Sequence, residues 1–226
     1  MEGFSRDELA LVRSEIASGL RADTRKSEEE RRTDVVHSNI AQSDGSIKIR
    51  RGESEVEVSI QFKETMETLM TQNISGEWLD TNESSMESIE FSKIAIPNIV
   101  SSMILELLAS YKIGIRIELN ILSNDGNVYD LFFIGLSILF KNLDMPVIDD
   151  LRRSERRKID IPTSKTVALF NSGRFVVDPI MIEEKASCGL MHVFVNSNGA
   201  LMGCLFEGNC SAEQEVLVNI MRKMCV

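Results

Sequence analysis

Hydrophobic residues along the chain follow two rhythms, one recurring every three or four positions and one every second position. Near the start, Leu9, Val12, Ile16 and Leu20 fall at helical spacing behind Ser5 and Glu8. A serine followed three residues later by a glutamate is the sequence form of a reciprocal N-terminal cap, so the pattern predicts an amphipathic helix. Then "RADTRKSEEERR", Arg21 to Arg32, mixes both charge signs and reads as a solvated connector. The segments "DVVHSNI", "SIKIRRG" and "SEVEVSIQF" alternate or run β-branched, divided by the turn signals "QSDG" and "RRGES". They predict an antiparallel meander ending at Phe62. In Glu55-Val56-Glu57-Val58 both valines must share one face.

Residues 71–92 carry little periodicity and many Asn, Ser, Glu and Asp, with Trp78 among them, and predict a surface loop or short edge elements. Ile99, Met103, Ile104, Leu107 and Leu108 predict a helix over Ile96 to Ser110 with one buried face, Pro97 suiting its first turn. Strict alternation from Ile113 to Leu122 predicts a strand with Arg116, Glu118 and Asn120 outward. After the turn "NDGNVYD", the apolar run from Asp130 to Asn142 is too long for a strand. It predicts a helix buried on nearly all sides, closed off by Pro146. "TVALF", "RFVVD", "GLMHVFVN" and "ALMGCLF" predict further strands, with turns at Asn171-Ser172-Gly173 and Asn196 to Gly199. "SAEQEVLVNIMRKM" predicts a last helix capped by Ser211, with Val216, Ile220 and Met224 along one stripe. Runs of strands separated by long helices define an α+β fold of mixed sheets packed with helices. An N-terminal helix over residues 1–20 precedes a single main domain over 21–226.

Composition narrows the function. A chain of 226 residues can bury a real core, and its formal net charge of -10 argues against autonomous, tight binding of nucleic acid. Cys188, Cys204, Cys210 and Cys225 lack the paired spacing of a zinc site and are expected as reduced, buried thiols. No apolar run approaches the ~20 residues of a spanning helix, and no secretory signal is evident, so an intracellular, soluble protein without membrane contact is expected. The one concentrated positive patch is Arg152, Arg153, Arg156, Arg157 and Lys158, a candidate contact for RNA or an acidic partner. A mobile charged surface loop is the preferred reading of it.

Four stretches together resemble the RNase PH family, whose fold (the ribosomal protein S5 domain 2-like class) builds the ring of the RNA exosome. They are Arg21-Ala22-Asp23-Thr24-Arg25, like the family's R-x-D-G-R with Thr24 in place of Gly; "QSDGSIKIRRG"; "NDGNVYD" with its buried helix and "FKNLDMP"; and "VVDPIMIEEKASCGLMHVFVNSNGALMGC". They stand in the family's order and cover nearly the whole chain. The resemblance implies the family's phosphate-dependent chemistry as the activity to look for.

Phosphorolytic members hold phosphate with a Thr-Arg pair at the start of the buried helix, where free N–H groups and the positive helix end converge. The matching positions here are Val128 and Tyr129, which supply neither the hydroxyl nor the guanidinium. Asp130 adds a negative charge and is expected as a helix cap at the former phosphate site. The family's two metal and acid-base aspartates match Glu184 and Leu190, and leucine can neither ligate a cation nor shuttle a proton. Glu183 and Glu184 are expected as a solvated loop pair, and His192 and His37 as sheet residues rather than general acids. Where active members carry RNA-gripping arginines, "SGEWLDTNESSMESIEFSK" offers Lys93 alone. The resemblance therefore implies a catalytically inert ring subunit without metal or cofactor. Its implied partners are other RNase PH-like subunits in a hetero-hexameric ring, S1/KH-type cap subunits, an associated hydrolytic ribonuclease and, indirectly, RNA. The implied location is nucleus, nucleolus and cytoplasm. An active phosphorolytic exoribonuclease and an unrelated α+β binding module are the rival expectations.

Overall fold

The computed structural model describes residues 3–63, 69–74, 77–80, 114–143, 145–148, 154–157, 160–208 and 214–225. Helix α1 (Arg6–Ala17) begins as its sequence predicts: Ser5 Oγ accepts from Glu8 N–H while the Glu8 carboxylate accepts from Ser5 N–H, closing both halves of the cap. Val12 and Ile16 are buried and Leu9 packs beside them. Leu20 departs from the expected stripe and is 64% exposed, because Gly19, at φ +85°, turns the chain left-handed and ends the helix first.

The predicted meander is β1 (Thr33–Ser38), β2 (Gly45–Arg51) and β3 (Ser54–Lys63), each antiparallel to the next. With β4 (Leu69–Ile74), β5 (Glu77–Asp80) and β6 (Gly114–Ser123) they form a six-stranded sheet of order β1-β2-β3-β6-β4-β5, in which β4 runs parallel to β6. Thus the short strand β5 forms the sheet's edge, in line with the expectation of short edge elements, while β4 lies one strand in, between β5 and β6. The predicted helix over Ile96 to Ser110 and the Ser211 cap lie outside the described residues. Alternation works as anticipated: Val56, Val58, Ile115, Ile117 and Leu119 are all buried, and outward Arg116 and Glu118 pair at 2.6 Å.

Helix α2 (Val128–Asn142) packs against β2 and β3 on one side and β9 (Thr163–Leu169) on the other. Leu131, Phe132, Phe133, Leu136 and Phe140 are fully buried. Each such side chain contributes roughly 1.5–3 kcal/mol, so this helix is what joins the two sheets. Gly135 permits the close approach, since a Cβ there would lie 2.8 Å from a Val58 methyl and 3.1 Å from one of Ile49. The second sheet has the order β10-β9-β11-β12, with β10 (Phe175–Val177), β11 (Gly189–Val195) and β12 (Leu201–Gly208). Val167, Leu169, Met191 and Val193 face α4 (Gln214–Met224), whose Ile220 and Met224 are buried on the predicted stripe. Ser164, Thr166 and Phe194 face α2, and Ala168 packs with α1.

A separate ribbon pairs β7 (Met145–Ile148) with β8 (Ser154–Arg157). Arg156 and Arg157 therefore lie in a paired strand rather than the expected loop, held by backbone bonds to Pro146 and its neighbours, while Arg152, Arg153 and Lys158 lie outside the described residues. The expected burial of the thiols is also corrected. Cys204 is exposed because the edge strand β12 is uncovered along one face, and Cys188 and Cys225 are only half-buried. Cys210 lies outside the described residues. Among the described residues no helix is long and apolar enough to cross a membrane.

Candidate functional site

The turn Asp125-Gly126-Asn127, which opens α2, is pressed against the start of α3 (Met181–Ala186). Gly126 has φ +88°, and a Cβ there would stand 2.5 Å from Met181 N, a contact no other residue tolerates. Met181 N–H donates to Asp125 O at 3.0 Å, and Ser54 Oγ donates to Gly126 O at 2.8 Å. The N-cap is Asn127, in the left-handed region at φ 59°, and its side chain makes no capping bond. Its Nδ2 instead donates to Asp130 at 2.7 Å and to Asp178 at 2.6 Å. Its backbone N–H, the group an incoming anion would take, donates to Glu184 Oε1 at 2.6 Å.

Asp130 is not the helix cap. It lies inside the first turn, 2% exposed, and that position on a helix wedged between sheets directs the carboxylate at β9. Oδ1 accepts from Ser164 Oγ at 2.7 Å and Thr166 Oγ1 at 2.8 Å; Oδ2 accepts from Thr166 N–H at 3.0 Å and lies 3.6 Å from Arg51 Nη1. Burial pushes the Asp130 carboxyl upward, opposed by Arg51 and these donors. Asp130 thus ties α2 to the second sheet.

Asp178 is the hub of the site. Fully buried, at φ 50°, it accepts from Arg25 Nη1 at 3.0 Å, from Arg31 N–H at 2.8 Å and from Arg31 Nε and Nη2 at 2.9 Å each. Arg51 Nη1 stands 3.5 Å away. Burial works to raise this carboxyl, yet the hydrogen bonds from Arg31 and the charges of Arg51 and Arg31 hold it well below the usual carboxylate range. Beside it, Arg21 forms a two-pronged pair with Glu183, Nε to Oε1 at 3.0 Å and Nη2 to Oε2 at 2.7 Å, and also donates to the carbonyls of Val177 and Asp178. Arg25 binds Asp23 at 2.6 Å across a turn in which Thr24 adopts φ 66°.

Two expectations are corrected here. The Arg21 to Arg32 connector is not simply solvated, because the buried carboxylates of Asp178 and Glu183 draw Arg21, Arg25 and Arg31 inward. Nor are Glu183 and Glu184 a solvated loop pair. Both belong to α3; Glu183 is fully buried on Arg21, and Glu184 is half-buried against the α2 terminus. Burial pushes the Glu184 carboxyl up to about 7, against the pull of the Asn127 N–H.

Of the other candidates, Val128 is buried in the main core and Leu190 packs against the α1 cluster. Tyr129 meets His192 edge-on at 4.8 Å, and burial raises its phenol. His192 lies in β11 as a sheet residue, its Nδ1 2.9 Å from Thr166 Oγ1, and burial lowers it to about 4, so it is neutral at pH 7. His37 is an exposed residue of β1. Among the described residues no group of three His, Cys, Asp or Glu is arranged to hold a metal ion. Sequence reading misses Asp178, Arg31, Arg51 and Asn127. Asp178 stands within one of the family-like stretches, but nothing local marks it as the common acceptor of three distant arginines.

The arrangement is a closed lock: Arg21, Arg25, Arg31 and Arg51 all face carboxylates of this chain, and the Glu184 carboxyl takes the Asn127 N–H at the start of the buried helix. Two sheets around a buried helix, with this knot at its N-terminus, make the α+β RNase PH fold. A chain of the Archaeoglobus fulgidus exosome with RNA bound to the active site matches over 96% of this chain and 92% of its own, with TM-score 0.74 and 16% identity. A chain of an archaeal exosome core gives TM-score 0.71 at 14% identity over 96% of this chain and 91% of that one. Rice (Oryza sativa) Rrp46 gives 0.59 at 12% identity over 90% and 92%.

In sequence, the chain is similar to two exosome complex components of Arabidopsis thaliana. RRP45B is 31% identical over 125 residues and RRP45A 30% identical over 125, each covering 48% of this chain. The match spans 28% and 41% of the lengths of these relatives, less than half of either. No protein-family profile matches the chain.

Proposed function

We propose that this chain is a catalytically inert, RNase PH-like subunit of an exosome-type ring, contributing structure to 3′-to-5′ RNA processing and degradation by the assembled complex. One observation carries the reading: the Asn127 N–H at the start of α2 is already bound by the Glu184 carboxylate at 2.6 Å. An incoming phosphate would have to displace a tethered carboxyl while gaining neither a threonine hydroxyl nor an arginine guanidinium, since Val128 and Tyr129 stand at those positions. Leu190 gives no second carboxylate to Glu184, so general acid-base or metal chemistry lacks its partner.

The role is then architectural. The chain pairs with RNase PH-like neighbours and presents surfaces to S1/KH-type cap subunits and a hydrolytic ribonuclease, in nucleus, nucleolus and cytoplasm. Residues Ser43–Gly52, Leu139–Pro146 and Ile182–Val195 resemble ribosomal RNA-processing protein forty-three, with classes forty-two and forty-five as alternatives. The Arabidopsis similarities support class forty-five more than forty-three. Affinity purification of the chain from its own cells, with identification of the chains that accompany it, tests the assignment. Stoichiometric RNase PH-like partners are expected; their absence from an intact, folded bait would overturn it.

A further inference from the structure

Far from the lock, at the other end of α2, a cleft of about 610 Å³ opens between that helix, the start of β9, the end of β11 and the end of α4. Its volume lies within the range of small-ligand sites. Lys141 reaches it from the last turn of α2 and Lys165 from β9. Neither ammonium has a carboxylate within ion-pairing distance among the described residues. Lys141 alone would be explained as a cation complementing the carbonyl end of its helix. Lys165 has no such explanation, since it sits mid-strand and half-buried.

The lining carries hydroxyls and amides beside the lysines, together with buried apolar residues. Ser137 and Thr163 line it, and Asn196 Oδ1 accepts from the N–H groups of Asn198 and Ala200, which leaves its Nδ2 as a donor. Asp160, which precedes the lining residue Ile161, already accepts from Ser197 N–H and Oγ at 3.3 and 2.7 Å. Val195 and Met224 supply apolar side chains. In a chain of net charge -10, two lysines in one cleft with no ion pair among the described residues are a local reversal of sign.

We propose that this cleft binds the phosphate of a nucleotide, free or as one unit of a single-stranded RNA, with Lys141 and Lys165 on the phosphate and the base against the aliphatic lining. Lysines act on phosphate as point charges, and the described lining has no aromatic ring to stack on, so the contact is indifferent to base identity and depends on salt. For a strand contact by both lysines, log K falls against log salt with a slope of about -1.4. The inference does not rest on the ring assignment.

The full-length chain is titrated with AMP, with a short fluorescent oligoadenylate and with inorganic phosphate, alongside the double variant Lys141→Gln/Lys165→Gln and a charge-matched control, Lys26→Gln/Lys48→Gln. Saturable binding of AMP or oligoadenylate that weakens at least tenfold in the first variant and little in the control is expected. Binding of AMP alone identifies a free nucleotide, and binding of oligoadenylate identifies a strand. Three results would overturn the site: no saturable binding of either nucleotide probe, binding of inorganic phosphate alone, or equal loss in both variants. Circular dichroism and thermal melting, read on all three proteins, separate lost binding from lost fold.

Discussion

Thr24 holds φ 66° in the turn that brings Arg21 and Arg25 to their carboxylates, a region where a β-branched residue is strained. Thr24→Gly is expected to stabilise the fold by about 1 kcal/mol in urea denaturation, although most glycine substitutions destabilise. A loss of that size would mean the threonine side chain contributes more than its backbone strain removes. Asp130 makes the opposite case. Its removal leaves Thr166 N–H and Ser164 Oγ without their acceptor in a dry interior and takes one carboxylate partner from Arg51 and from Asn127 Nδ2, so Asp130→Ala is expected to cost about 3 kcal/mol, against ~1 for a cap residue. A measured cost near 1 would return Asp130 to a capping role. That Val128 and Tyr129, and not a threonine and an arginine, open α2 is legible from residue identity and position alone. The direction of the Asp130 and Glu184 carboxylates is not, because each is fixed by a partner on another element, β9 for one and the α2 terminus for the other.

Elements are legible where one rhythm runs unbroken and flanking residues mark its ends. Ser5 and Glu8 set the start of α1; strict alternation sets β6; the length of the apolar run sets α2. Errors fall where a short segment takes its structure from something distant. The stretch holding Glu183 and Glu184 is one brief helix fixed by Arg21 and Asn127, and Ser154–Arg157 is a strand only because β7 lies beside it. Gly135 tests how tightly α2 is fitted to the first sheet. In an exposed helix Gly135→Ala would gain about 1 kcal/mol from propensity, but the added methyl meets Val58 and Ile49. A net loss of about 1–3 kcal/mol is therefore expected from chemical denaturation. A net gain would show that the helix and sheet can move apart without penalty.

Across the whole molecule the buried ionisable groups respond to pH in opposing directions. Asp178 is held low, so its contribution is present above the ordinary carboxylate range and is lost as pH falls into strong acid. His192, lowered from 6.5 to about 4, contributes fully above pH 6.5, and that contribution disappears as pH drops toward 4. Glu184 runs the other way. With its carboxyl raised from 4.5 to about 7, its contribution is present below 4.5 and disappears as pH rises through 7. Glu184→Gln should therefore gain on the native protein between pH 5 and 8, by about 2–3 kcal/mol, in parallel urea titrations. A constant difference across that range would mean that Glu184 is ionised throughout.

That glutamate is also where the fold and the proposed function meet, since its carboxyl holds the Asn127 N–H at the start of α2. The direct test is to incubate polyadenylate and orthophosphate with the purified chain, and with a reconstituted ring in which every other pocket has been disabled, and to measure released nucleoside diphosphate. No release above a protein-free control is predicted in either case. Phosphate-dependent shortening of the RNA by either sample would contradict the account.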